Sequence, residues 1–167
     1  MATRRQAREW ALQMLFQLDH NPAKDLEPAF VEFWKQQAMA HSEDNEGRAN
    51  RPDTAANADA GLASPKIQAF TERVVRGVVQ NREAIDKRLT EYVKNWPLHR
   101  MGGIERNVMR LAFYELFFEE ETPPIVCINE AVDLAKYFSN AEAGRFVNGI
   151  LDRAAKEVKR PARKQGK

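Results

Sequence analysis

Cysteine is almost missing from this chain: Cys127 is the single one in 167 residues. One thiol excludes an internal disulfide framework and any cysteine-rich zinc site. Histidine is nearly as scarce. His20, His41 and His99 are scattered, and none has metal-ligand spacing with a partner. The three serines, Ser42, Ser64 and Ser139, each sit at a loop or helix start. No glycine-rich phosphate loop follows a strand, because no segment alternates with period two. No apolar run approaches the length of about 20 residues that spans a bilayer, and no hydrophobic signal region follows Met1. The expected compartment is the cytoplasm. Acidic clusters exist, notably Glu119-Glu120-Glu121. Adjacent acids at a helix end are solvated, and they oppose the helix dipole. The expectation is a protein without catalytic residues, metal or cofactor.

Charge is present but unevenly placed. The formal net charge is +2. Residues 1–8 hold Arg4, Arg5 and Arg8 and no acid, and residues 153–167 carry seven cations against Glu157. The stretch between is acidic. Two basic ends on an acidic body point to a polyanion met at the termini. A solvated C-terminal tail over 161–167 is an equal reading, since Pro161 and Gly166 favour fraying.

The apolar pattern is helical throughout. Thr3 caps a helix to about Leu18, in which Ala7, Trp10, Ala11, Met14, Leu15 and Leu18 form one buried stripe. A second helix is expected over 28–40, with Phe30, Phe33 and Trp34 on one side. From 40 to 64 the only large apolar residue is Leu62, so burial cannot offset ordering entropy, and this stretch reads as a mobile insertion loop. Ser64-Pro65 starts a helix carrying Ile67, Phe70, Val74 and Val78, where Gly77 marks a close helix contact. Further helices are expected over 82–93, 104–118, 126–138 and 141–159. The fold class is all-α, a compact bundle of about seven helices, with 1–160 as one domain.

The first helix carries the most informative surface. With Ala7 at 0° and about 100° per residue, the buried stripe centres near 20°. Arg8 then falls at about 100°, Leu12 at about 140°, Arg5 at about 160° and Phe16 at about 180°. An aromatic ring beside guanidinium groups suits single-stranded nucleic acid, giving a platform for a base and cations for phosphates. Two other readings stay open: Phe16 as core of a helix packed on two sides, or Phe16 with Leu12 in a protein interface. Arg145-Phe146 near the start of the last helix is a second candidate surface. There the spacing favours Phe146 as peripheral core and Gly149 as a close helix contact. Tyr92, with Lys94 nearby, is a third candidate that can pack or stack.

Three blocks resemble the NusB family of transcription antitermination factors (N-utilization substance protein B). They are Arg4-Arg5-Gln6-Ala7-Arg8-Glu9 with Ala11-Leu12-Gln13-Met14-Leu15-Phe16; Gly103-Ile104-Glu105-Arg106 with Met109 through Leu116; and Ile128-Asn129-Glu130-Ala131-Val132 with Phe146-Val147-Asn148-Gly149-Ile150-Leu151-Asp152. The resemblance implies two packed helical subdomains and no catalysis. It implies binding of single-stranded boxA RNA in nascent ribosomal RNA leaders, as a heterodimer with the ribosomal protein NusE. The complex would join RNA polymerase and other Nus factors. The implied RNA contacts are Arg4, Arg5, Arg8, Phe16, Tyr92, Arg145 and Phe146, and Glu105 matches a position near the NusE interface. Some members form homodimers that hide the RNA surface. A scaffold that binds protein but no RNA, and an accessory domain of an rRNA-modifying system, are the alternatives. No cofactor-binding α/β domain follows, which disfavours the latter.

Overall fold

A computed structural model describes residues 3–48 and 63–158. These contain seven α-helices, one 3-10 turn and no strand. In order they are α1 (Arg4–His20), α2 (Leu26–Arg48), α3 (Pro65–Gln80), α4 (Arg82–Tyr92), the 3-10 turn Leu98–Arg100, α5 (Gly103–Phe117), α6 (Pro124–Phe138) and α7 (Ala141–Ala155). The chain divides into two compact units within α3, after Arg73. The segment 49–62 and the basic tail 161–167 lie outside the described residues, and with them most of the expected loop.

The first unit grows from the apolar stripe of α1. Thr3 caps this helix as expected, accepting from the Gln6 backbone N–H at 3.3 Å. Ala7, Trp10, Ala11, Met14 and Leu15 are buried, and Leu18 is half-buried. Leu12 is buried too, although the projection set it outside the stripe. Phe30 and Phe33 of α2 are buried, and Trp34 stands edge-on to Trp10 with centroids 5.4 Å apart. The Trp34 indole N–H donates to Glu72 Oε1 at 2.9 Å, tying α2 to α3. Thr71 Oγ1 lies 3.3 Å from the Ala7 carbonyl, joining α3 to α1.

The second helix overruns its expected end. Residues 40–48 were expected to open the mobile loop, but they continue α2 to Arg48. Ala38, Met39, Ala40 and Glu43 are exposed good helix formers, so local propensity extends the helix past its last buried ring. Burial capacity was the wrong criterion for those residues.

In the second unit α5 is central, packed against α4, α6 and α7. Every residue from Asn107 to Leu116 is buried. A helix buried all round must place its polar side chains against partners. Arg110 does so with Asp86 of α4, donating from Nε at 2.8 Å and from Nη2 at 3.0 Å. Arg106 donates to the Leu98 and Met101 carbonyls at 3.1 and 3.2 Å, which fixes the unforeseen 3-10 turn. Gly77 does mark close packing: a Cβ there would lie 2.5 Å from the Tyr114 hydroxyl oxygen and nearer still to its ring. Pro124 opens α6 at its first turn, two residues before the expected start. Asn140 caps α7, accepting from the Ala143 N–H at 2.8 Å.

Candidate nucleic-acid interface

The N-terminal turns of α1 carry the densest positive charge in the first unit. Arg4 and Arg5 are exposed. Arg8 is not: it is 4% exposed, with its guanidinium 5.3 Å from the centre of the Phe70 ring. The helix projection set Arg8 at the edge of the wet face, but Phe70 of α3 covers that edge. Arg4 lies 5.1 Å from the same ring, and Arg73, which sequence reasoning did not select, lies 5.2 Å from it. Three guanidinium groups thus gather within roughly a Debye length of one another, about 10 Å at 0.1 M salt. Each gains from the ring face, while their like charges repel. Helical spacing alone could not have found Arg73, because it joins the cluster only through the contact of α3 with α1.

Phe16 stands at the other end of α1 and is 38% exposed. Its ring is 4.6 Å from that of His20, and His20 Nδ1 lies 3.0 Å from the Phe16 carbonyl oxygen. The ring is not sealed in the core, so the reading of Phe16 as core of a doubly packed helix does not hold. Leu12, its proposed companion in a protein interface, is buried at 3% exposure. Eleven residues of α-helix set Phe16 about 16 Å along the axis from Arg5. A charged end and an aromatic end therefore lie along one helix.

The second unit holds the other sequence-selected residues. Tyr92 is half-buried. Its ring meets Phe113 edge-on at 5.6 Å, and the Arg153 guanidinium lies 5.8 Å from its centre. Arg153 Nη2 also donates to the Tyr92 carbonyl at 2.8 Å. The Tyr92 hydroxyl is buried beside the Glu157 carboxylate. Burial, and then the nearby Glu157 carboxylate, push this phenol up to about 12. Tyr92 is thus a packed ring with one charged neighbour. Glu105 accepts from Ser139 Oγ at 2.6 Å, linking the start of α5 to the end of α6.

Arg145 is exposed and makes no hydrogen bond or ion pair among the described residues. Phe146 is half-buried beside Trp96, with centroids 6.0 Å apart and planes inclined at 48°. Trp96 is 52% exposed and lies just beyond the end of α4. Its exposure was not legible, because a tryptophan before proline reads equally as a buried stop. Gly149 departs from expectation. A Cβ there meets nothing within 4 Å, so Gly149 serves no close helix contact among the described residues.

No group of three or more His, Cys, Asp or Glu among the described residues could hold a metal ion. None of the described helices is long and apolar enough to cross a membrane.

Comparison with known proteins places this geometry in a family. The model of the NusB family matches residues 5–156. The transcription antitermination protein NusB of Heliobacterium modesticaldum is 36% identical over 157 residues, covering 94% of this chain; the chain spans 64% of that longer relative. The solved structure of T. maritima NusB is 33% identical, with TM-score 0.72, covering 98% of this chain and 95% of its own. A solved complex of the antitermination factors NusB and NusE with double-stranded RNA shares the fold, at TM-score 0.70 and 24% identity over 92% of this chain and 96% of that one. With the family model matching nearly the whole chain and both helical units described above, the protein belongs to the NusB family.

Proposed function

We propose that this chain is a transcription antitermination factor that binds RNA with its basic first helix. The observation that carries the reading is the gathering of Arg4, Arg8 and Arg73 on Phe70, with Phe16 exposed further along the same helix. Arg4 and Arg5 reach phosphates directly, Arg8 and Arg73 reinforce the local potential, and Phe16 offers a stacking face. In the second unit Arg145 and Phe146 add a cation and a ring. Tyr92, already packed against Phe113 and Arg153, serves as support for that surface.

The RNA is single-stranded boxA of a nascent ribosomal RNA leader, and the protein partner is NusE, with Glu105 at or near its interface. The relatives' role in antitermination and the solved NusB–NusE–RNA complex support both classes of partner. The assembly would act in the cytoplasm with RNA polymerase and other Nus factors, by binding and without catalysis. A gel shift with boxA RNA and a scrambled RNA, each with and without purified NusE, tests this. Retardation of boxA in preference to the scrambled strand, strengthened by NusE, is the expected result. Binding of NusE with no RNA retardation under any condition would leave a protein scaffold instead.

A further inference from the structure

Among the described residues Glu105 makes no ion pair, yet its carboxylate is held on both sides. It sits half-buried in the first turn of α5, where an acid favours the helix dipole. The dipole accounts for an acid at this position but not for how its side chain is fixed. Oε1 accepts from the Ser139 hydroxyl at 2.6 Å, across 34 residues of chain. Oε2 lies over Gly102, where a Cβ would run into it and stand 3.2 Å from Cδ. Arg106, next in the chain, directs Nη1 to the Leu98 and Met101 carbonyls.

Neither neighbour is explained by its own helix. Gly102 has φ −55° and ψ 140°, which any residue adopts. It is the N-cap of α5 and offers no side-chain cap, where Ser, Thr, Asp or Asn would serve the helix better. What the glycine supplies is room for the carboxylate. Ser139 closes α6 with its backbone N–H on the Ala135 carbonyl, so its hydroxyl is not needed to end that helix. A glutamate on an open surface samples many rotamers, and freezing it at an interface weakens binding. Here two residues freeze it beforehand. An oriented carboxylate without a cation suits an arginine or lysine brought by another molecule.

We propose that Ser139 and Gly102 are positioning residues that hold Glu105 in one orientation, in which its carboxylate receives a cationic side chain of the protein partner. This rests on the reading of Glu105 at the partner's interface, and adds to it the residues that aim the carboxylate and the charge it receives.

The test is calorimetric binding of purified NusE to the full chain, with melting temperatures alongside. Ser139→Ala and Gly102→Ala should each weaken binding about two- to ten-fold, the cost of ordering one mobile side chain. Ser139→Thr keeps the hydroxyl and should keep the affinity. Glu105→Gln removes the charge and should weaken binding about as much as Glu105→Ala. In a Glu105→Ala background neither Ser139→Ala nor Gly102→Ala should weaken binding further, an effect that a merely structural role would not give. If Glu105→Ala weakens binding while Ser139→Ala and Gly102→Ala stay within about two-fold of wild type, the positioning is wrong and the partner reading stands. Equal losses in both backgrounds, or Glu105→Gln binding like wild type, would also overturn the proposal. If Glu105→Ala binds NusE as wild type does, or wild type binds none, the interface reading falls and the proposal with it.

Discussion

Replacing each of two helix glycines by alanine should move stability in opposite directions. The intrinsic gain is the same in both, about 0.8–1 kcal/mol for alanine over glycine in a helix interior. At Gly149 nothing offsets it, since the new methyl meets no atom within 4 Å. Gly149→Ala should therefore stabilise by about 0.5–1 kcal/mol, a rise of roughly 1–4 °C in Tm for a chain of this size. At Gly77 the methyl would lie 2.5 Å from the Tyr114 hydroxyl oxygen, against a comfortable separation of about 3.5 Å. Tyr114 is only 9% exposed, so its ring cannot swing into solvent. Overpacking of this kind costs about 1–3 kcal/mol, or more when backbone must shift. The intrinsic gain cancels between the two, so the gap should be about 1–3 kcal/mol or more. Urea unfolding followed by far-UV circular dichroism measures it directly. If Gly77→Ala were as stabilising as Gly149→Ala, the close approach of α3 to the Tyr114 ring would be wrong.

Further expectations concern the second unit. Asp86→Ala removes the paired carboxylate from the Arg110 guanidinium, whose side chain is 6% exposed. The loss should be about 2–4 kcal/mol in urea unfolding, below the fully buried range because Asp86 is 26% exposed. Pairing it with Arg110→Met should recover part of that loss, and no recovery would contradict the assignment of the cost to a buried charge that has lost its carboxylate. Tyr92 holds its proton up to about 12 in the folded chain, against 10.0 for an ordinary tyrosine. The stability this contributes is whole below pH 10 and drains as pH rises from about 10 to about 12, because the unfolded chain releases the proton first. Tyr92→Phe should lose less stability over that window than wild type, and equal pH slopes would refute the assignment.

Much of the fold was legible because one-sided apolar periodicity reports burial. The α1 stripe from Ala7 to Leu15, the caps at Thr3 and Ser64, and Val147, Ile150, Leu151 and Ala154 of α7 follow from spacing and capping chemistry. The same rule misled at α2, where exposed helix formers carry the helix on to Arg48 with no core to hold. It placed α5 over 104–118 but not the burial of every side, and Arg110 inside it looks like a surface residue in sequence. The site divides the same way. The angle of Phe16 on the helix left both exposure and a second packed face open, as buried Leu12 on the same side illustrates. The burial of Arg8 and the arrival of Arg73 depended on where Phe70 of α3 would lie, and no local pattern encodes that contact. The exposure of Trp96 and the open space at Gly149 likewise depend on which atoms do not surround them.

The central claim is that the exposed arginines at the start of α1 hold RNA phosphates, and the salt dependence of binding tests it most directly. The dissociation constant for single-stranded boxA RNA should be measured across a range of salt for wild type and for Arg4→Ala/Arg5→Ala, with circular dichroism to show that α1 persists. For single strands each phosphate contact contributes about 0.7 to the slope of log K against log salt. The double variant should bind more weakly and lose about 1.4 from that slope. An unchanged affinity and slope in a folded double variant would contradict the account.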